Sequence, residues 1–310
     1  MKIAHLSDLH VLDLAGVPAR AYANKRLLGY ANIRFKRKHL HKADIAAKLF
    51  RDVARAKVDH VVITGDLTNL ALESEFRAAL RLITEELGLP EDRVSIIPGN
   101  HDTYVSEPKL RPFSTLFSGY TSSELPEFSL PLGGGNFPFV RIRGPVAIIG
   151  LSSAVPRPPF VAAGVLGEAQ RKSLRSILRH PDVRDRTPVV LVHHPSYPPS
   201  SRLKSLVEGL HDGADLERDL AESHPALILH GHLHRRVLRK GRGRGGLQIL
   251  GATSASLHHH DPDRMAGYRF DRAHDPDAGV PLAVVRAGST EDVQTAVRFA
   301  AEHGLAVVPR

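Results

Sequence analysis

Seven residues of metal-binding types come directly after short apolar segments of this sequence. They offer two carboxylates, four imidazoles and one amide oxygen. A catalytic zinc ion usually takes three protein ligands and one water, so seven donors suit two ions, with one carboxylate shared between them. The seven residues are Asp8, His10, Asp66, Asn100, His193, His232 and His234.

The donor set favours certain metals and one kind of chemistry. The chain has no cysteine, which excludes thiolate metal sites, disulfides and a cysteine nucleophile. Nitrogen and oxygen ligands of these types fit Mn, Fe or Zn better than Ca or Mg. Two ions about 3.5–4 Å apart are a recurrent device for phosphate ester hydrolysis, in which they lower the pKa of bound water to about 7. His101, next to Asn100, is then available to protonate the leaving oxygen or to stabilise the transition state.

The segments that must position these residues alternate between two kinds. Runs rich in Val, Ile and Leu predict strands at 2–6, 58–64, 93–97, 146–151, 188–192 and 226–229, with further candidates at 139–142, 237–239 and 247–250. Helical spacing of apolar residues predicts helices at 44–57, 74–87, 168–178 and 214–221, and long loops are expected at 107–136 and 196–202. This alternation predicts an α/β architecture, and because ligands bind outside the carboxyl ends of strands in such sheets, the seven residues can converge.

In order and spacing, these residues resemble the motifs of the calcineurin-like metallophosphoesterases. The matching groups, which cover about residues 1–270, are Asp8-x-His10, Gly65-Asp66, Gly99-Asn100-His101-Asp102, His193 and Gly231-His232-x-His234. The resemblance implies a four-layer αββα sandwich of two mixed β-sheets flanked by helices. It also implies a ligand set for each of two metal ions: Asp8, His10 and His234 for one, Asn100, His193 and His232 for the other, and Asp66 bridging both.

The activity that the resemblance implies is hydrolysis of a phosphoric ester, with a metal-bound hydroxide attacking phosphorus and His101 assisting the leaving group. The segment Gly65-Asp66-Leu67-Thr68 looks most like that of bacterial cyclic-nucleotide and phosphodiester hydrolases, so we expect a small phosphodiester substrate. A phosphomonoesterase acting on a nucleotide or sugar phosphate stays open. Protein phosphatases of the family carry an acid where this chain has Asn69, so we expect a weaker hold on the His101 ring.

Three further groups allow two interpretations each. Only one histidine of the pair 193–194 need bind a metal, so His194 either contacts substrate or packs in the interior. Asp102 is expected to support its loop rather than take part in the chemistry. His258, the first of three consecutive histidines, either lines the substrate pocket or lies in a solvated loop before the turn signal Asp261-Pro262.

The net charge of +9 is concentrated in two segments, with eight Lys or Arg and no acid in residues 20–42 and six more in 235–244. The basic segment 20–42 either binds a membrane surface or a polyanion such as nucleic acid, or forms a solvated cap beside the active-site mouth, and we favour the cap. If it is the binding surface, the chain is a polyanion- or membrane-binding protein with a non-catalytic metal site. Residues 235–244 predict a hairpin turn.

Composition and patterning bound the rest. Apolar residues make up 42% of 310 residues, which suits a buried core and excludes a disordered chain. No apolar run reaches the ~18 residues of a membrane-spanning helix, and no export signal opens the sequence, so we expect a cytoplasmic protein. We divide the chain into a metallophosphoesterase domain at 1–270, a polar linker at 271–280 and a strand–helix–strand appendage at 281–310. The appendage resembles the opening of a flavin-binding oxidase domain but lacks the loop that meets the cofactor, so we expect no flavin.

Overall fold

The computed structural model describes residues 1–32, 41–105, 112–132, 134–197, 201–221, 225–242, 246–257, 264 and 269–272. In this part of the chain, strands β1 to β12 span Lys2–Leu6, His60–Ile63, Val94–Ile96, Leu130–Leu132, Gly135–Phe137, Phe139–Arg143, Val146–Gly150, Thr187–Leu191, Leu227–His230, Val237–Lys240, Gln248–Gly251 and Arg269–Arg272. Helices α1 to α8 span Arg26–Asn32, Ala43–Arg55, Glu73–Leu82, Pro112–Leu116, Glu168–Arg179, Pro181–Arg184, Arg202–Glu208 and Gly213–Ala221.

Most of the strands form two mixed sheets. The first has the order β12-β1-β2-β3, in which β1, β2 and β3 are parallel and β12 is antiparallel to β1. The second has the order β10-β11-β9-β8-β7-β6, with four parallel strands in the middle and an antiparallel strand at each edge. The mixed sheets implied by the motif resemblance are therefore confirmed.

Two clusters of buried apolar residues hold the layers of helices and sheets together. One joins helices α2 and α3, the first sheet and the near face of the second sheet, and the other joins the far face of the second sheet to α5, α6 and α8. Strand β7 is buried on both faces, since Ile148 belongs to the first cluster and Ala147 and Ile149 to the second. This explains why its sequence is apolar without interruption. The result is the expected αββα sandwich.

The carboxyl ends of the parallel strands of both sheets lie at one edge of the sandwich. The backbone of the loop after β1 is bonded to the loop after β2, where Asp8 N–H donates to Gly65 O at 2.9 Å. The loop after β11 crosses to the other sheet, where Ala255 N–H donates to Ser7 O at 2.8 Å. The predicted site residues, which follow these strands in the sequence, therefore lie at the same edge of the sandwich.

The prediction of an irregular loop at 107–136 is wrong in part. Its described residues include helix α4, short 3₁₀ turns and the hairpin β4–β5, in which Leu130 pairs with Phe137. These elements have three to five residues each, too few for a periodic pattern to show.

The predicted linker and appendage lie almost wholly outside the described residues. Strand β12 extends to Arg272, two residues into the segment 271–280, and residues 273–310 are not described. The division into a domain, a linker and an appendage therefore stays a prediction. No described helix has the length and apolar character needed to cross a membrane.

Candidate metal centre

Three of the predicted ligands converge in a cluster, here called the first subsite, formed by Asp8, His10 and His234. The Nε2 atoms of the two histidines lie 3.0 Å apart, and His234 Nε2 lies 3.2 Å from Asp8 Oδ1. His10 Nε2 is 3.9 Å from the same oxygen. Their donor atoms therefore point at one small volume.

Three other predicted ligands form a second subsite, made of Asn100, His193 and His232. The Asn100 side-chain oxygen lies 3.0 Å from His193 Nε2 and 3.0 Å from His232 Nδ1. His232 thus presents Nδ1, whereas the other histidines of the two subsites present Nε2.

Asp66 stands between the two subsites. Its Oδ2 atom is 3.4 Å from His193 Nε2 and 3.9 Å from His10 Nε2, while Oδ1 accepts the backbone N–H of His101 at 2.8 Å. A single carboxylate therefore faces donors of both clusters. With only oxygen and nitrogen donors on either side of it, the arrangement fits two divalent ions that share one ligand.

Backbone carbonyls fix which nitrogen of two rings is available. His193 Nδ1 lies 2.7 Å from Thr64 O, and His10 Nδ1 lies 3.3 Å from Thr68 O. Because a carbonyl can only accept, each Nδ1 carries a proton, which leaves Nε2 as the nitrogen that can bind a metal ion.

The backbone at the centre is held in an unusual conformation. Five of the seven predicted ligands have positive φ angles, between 47° and 69°, although none is glycine. They are Asp8, His10, Asp66, His232 and His234. Such residues persist only where the surroundings over-determine them, and they cluster at functional sites. One such restraint is the bond from His232 N–H to Asp8 Oδ2 at 3.0 Å.

Two glycines of the motifs allow the loops to approach this closely. A Cβ atom on Gly99 would lie 2.2 Å from Asp66 Oδ1, and one on Gly231 would lie 1.8 Å from Ser7 Oγ and 2.5 Å from Asp8 Oδ2. Neither position can hold a larger residue without moving a predicted ligand. This explains why glycine stands before Asn100 and before His232.

The charges at the centre suit bound cations. Burial alone would raise the pKa of Asp66, but the imidazoles of His193 and His101 outweigh it and hold the pKa well below its ordinary value. For His10, burial and the neighbouring His41 and His234 lower the pKa well below the ordinary value. Burial and His193 likewise lower the pKa of His232 to about 3. Ionised carboxylates and neutral imidazoles are the states that metal ions require.

His193 is the exception. Burial lowers the pKa of its imidazole, but the carboxylates of Asp66 and Asp8 outweigh burial and raise the pKa to about 9. An ion at the second subsite would therefore have to displace a proton from His193.

His101 lies beside the shared carboxylate. Its Nδ1–H donates to the backbone carbonyl of Asn69 at 2.7 Å, and its ring stacks on Tyr104 with a centroid distance of 5.8 Å. The ring thus has a neutral partner in place of a carboxylate. The Asn69 side chain instead donates to His10 O and Val11 O, at 2.6 and 3.1 Å, and fastens the loop after β1.

Asp102 supports the loop that carries Asn100. Its carboxylate accepts the backbone N–H groups of Leu67, Thr68 and Gly99 at 2.9–3.1 Å, and also the hydroxyl of Thr68. Burial and the charge of Asp66 raise its pKa to about 7. These contacts agree with the structural role expected from the sequence.

Of the two candidate substrate-binding residues, the structure describes only His194. His194 is fully buried, with Nδ1 2.8 Å from Ser153 Oγ and Nε2 2.8 Å from Ala162 O. Because both ring nitrogens have partners inside the protein, this placement favours packing over substrate contact. His258 lies outside the described residues.

The described part of the basic segment 20–42 lies beside His101. Lys25 Nζ donates to Arg157 O at 2.8 Å and sits 4.1 Å from the centre of the Tyr104 ring, which in turn stacks on His101. Arg26, 5% exposed, donates to the carbonyls of Leu70 and Ala71. These contacts place the start of the segment close to the site, while residues 33–40 lie outside the described residues, so the choice between a cap and a binding surface stays a prediction.

Sequence reasoning missed His41, whose ring centroid lies 4.5 Å from that of His10 and 5.6 Å from that of His234. No local motif marks it. Ser254, which donates to Asp8 O at 2.6 Å, was also missed, yet it follows β11 just as the other site residues follow their strands. The strand-end rule could therefore have found Ser254 but not His41.

Comparison with known proteins agrees with this geometry. The family model for calcineurin-like phosphoesterases matches residues 1–236, whereas no curated protein gives a significant match. A dimetal phosphatase from Danio rerio shares the fold with a TM-score of 0.59 and 14% identity, over 87% of this chain and 91% of that one. A purple acid phosphatase from yellow lupin gives a TM-score of 0.50 and 12% identity, over 89% of this chain and 46% of the lupin protein. The chain therefore belongs to the calcineurin-like phosphoesterase family and is a metal-dependent phosphoric ester hydrolase, for which the family implies two divalent metal ions.

Proposed function

We propose that this protein hydrolyses a small phosphodiester, of which a cyclic nucleotide is one example, with two Mn, Fe or Zn ions. The observation that carries the proposal is the pair of subsites that share Asp66, with His101 directly beside them. We assign Asp8, His10 and His234 to one ion and Asn100, His193 and His232 to the other. When bound, the two ions would stabilise negative charge on the phosphoryl group and lower the pKa of a bound water to about 7.

The chain's own residues supply the orientation and the proton. His101 Nδ1–H stays on the Asn69 carbonyl, so Nε2 is the nitrogen that gives a proton to the leaving oxygen. Stacking on Tyr104 fixes the plane of the ring. Thr64 O and Thr68 O hold the His193 and His10 rings in the orientation that ligation needs.

The diester preference rests on the residue pattern after Asp66, which resembles that of phosphodiester hydrolases. The neutral partner of His101, where protein phosphatases carry an acid at the place of Asn69, argues only against a protein phosphatase. The second candidate is a phosphomonoesterase acting on a nucleotide or sugar phosphate. We do not favour binding of nucleic acid or a membrane, since two of the eight basic residues, Lys25 and Arg26, direct their charged groups to carbonyls of the protein itself. A cytoplasmic location is part of this proposal.

The test compares two chromogenic substrates on one preparation. Protein stripped with a chelator and restored with Mn²⁺ is assayed with bis(p-nitrophenyl) phosphate and with p-nitrophenyl phosphate. Faster turnover of the diester, dependent on the metal, supports the proposal, whereas preference for the monoester favours the second candidate. Asn100→Ala should abolish turnover, and Asn136→Ala, a change at an exposed position of strand β5, serves as the matched control. Full activity in Asn100→Ala would show that the site is misassigned.

A further inference from the structure

We propose that His41 is a further protein ligand of the ion at the first subsite, which gives that ion three imidazoles. The inference rests on the proposed function, because it concerns the same pair of ions. His41 lies in the basic segment 20–42, far in sequence from every motif of the family pattern. Its place in the centre is visible only in the folded chain.

The distances suit ligation of a single ion. One ring nitrogen from each of His10, His41 and His234 lies within 4.8 Å of the others. Histidine nitrogens bind zinc at about 2.0–2.1 Å, so two nitrogens on one ion stand about 3.3 Å apart at a tetrahedral angle and about 4.2 Å apart on opposite sides. Side-chain shifts on the order of one ångström therefore bring all three rings onto one ion.

His41 is held in place by the loop that follows β11. Its Nδ1 lies 2.9 Å from Ser256 Oγ, and Lys42 N–H donates to Ser256 O at 3.0 Å. The same loop is fastened to the first subsite, since Ser254 Oγ donates to Asp8 O at 2.6 Å. The imidazole and the carboxylate ligand thus belong to one bonded unit, although Asp8 and Ser254 are 246 residues apart.

The contacts of His41 match those of the assigned ligands. His10 and His193 place Nδ1 on an oxygen of the protein and present Nε2 to the centre. His41 has Nδ1 2.9 Å from Ser256 Oγ, and we assign Nε2 as its metal-binding nitrogen. With His41, the first subsite has three nitrogens and two carboxylates, whereas the second has two nitrogens, one amide oxygen and the shared carboxylate. The first subsite is then the stronger site for a nitrogen-preferring ion such as Co²⁺ or Zn²⁺.

The test is a Co²⁺ titration of the metal-free full-length protein, followed by visible absorption and by counting the bound ions. His41→Gln is compared with the unchanged protein and with His211→Gln, which removes an exposed histidine elsewhere. We expect the unchanged protein and the control to bind two ions. His41→Gln should bind one of them at least about 10-fold more weakly, because the loss of mere outer-shell partners already weakens binding 10–100-fold. Its visible spectrum should change, since water replaces a nitrogen ligand.

Ser256→Ala provides an independent variant that keeps the imidazole and removes its restraint. We expect Ser256→Ala to weaken binding of the same ion by a smaller factor than His41→Gln does. Two ions bound with unchanged affinity and spectrum in both variants would overturn the inference, even if hydrolysis fell, because His41 would then contact substrate alone. Fewer than two ions on the unchanged protein would instead overturn the proposed function, and the inference with it.

Discussion

Burial of His60 makes the protein sensitive to acid at a place remote from the metal centre. His60 begins strand β2, whose other end leads to Asp66, and its side chain is fully buried. Nε2 lies 2.9 Å from Ser95 Oγ, whereas Nδ1 has no hydrogen-bond partner among the described residues. Burial, and then the nearby charge of Arg141, lowers the pKa of His60 from 6.5 to about 3.

The size of the effect follows from this difference in pKa. Below pH 6.5 the unfolded chain binds a proton at position 60 that the folded chain does not bind until the pH nears 3, so stability is lost as the pH falls through that range. Between pH 7 and pH 5, at about 1.4 kcal/mol for each pH unit below 6.5, the loss is about 2 kcal/mol of unfolding free energy. His60→Asn removes the titrating group and with it this loss.

The assay is urea unfolding of the metal-free protein at pH 7 and at pH 5. His60→Asn leaves a cavity and lowers stability at both pH values, but the difference between the two should be about 2 kcal/mol smaller than in the unchanged protein. His211→Asn, at an exposed histidine, should keep the original difference. Equal pH dependence in His60→Asn and the unchanged protein would refute the argument from burial.

Three other changes test separate parts of the structure. Arg141, 1% exposed, donates to the carbonyls of Glu91, Val94 and Gly119. Arg141→Met leaves these carbonyls without their donor and should lower the free energy of unfolding, measured in urea, by about 3–5 kcal/mol. A loss under about 1 kcal/mol would contradict the role given to these bonds. His101→Ala should slow hydrolysis of alkyl esters about 10²–10⁴-fold and of nitrophenyl esters much less, since only the alkyl leaving group needs a proton; equal losses would exclude it as the acid. Asp66→Asn keeps an oxygen that can accept the backbone N–H of His101 but loses the negative charge. Competition with a chelator should therefore show that both ions bind at least about 10-fold more weakly. Weaker binding of one ion alone would argue against a shared ligand.

The sequence predicts the framework well because the strands are buried on both faces. An uninterrupted apolar run such as that of β7 is typical of a strand buried on both faces, and the polar residue after it then lies at the edge of the sheet. The same reasoning placed the seven predicted ligands at one edge, where the structure brings them together. Their pairing around Asp66 depended on the resemblance to a family, since spacing alone does not show which rings face one carboxylate.

Two kinds of feature could not be predicted from the sequence. His41 reaches the centre through a loop more than 200 residues away, and nothing in its neighbourhood of basic residues distinguishes it. The positive φ angles of Asp8 and His10 are equally hidden, because neither residue type requires that conformation. His194 has the sequence context of a ligand, and only the structure shows that both of its ring nitrogens contact Ser153 and Ala162 inside the protein.

The left-handed residues of the centre link metal supply to the amount of folded protein. Each such residue costs about 1–2 kcal/mol of stability, and proteins as a class retain only about 5–15 kcal/mol in total. Ions that bind the folded chain alone offset this cost through mass action. A cell short of the right metal would therefore hold less of this protein, as well as less active protein, because chains that unfold more often are degraded sooner.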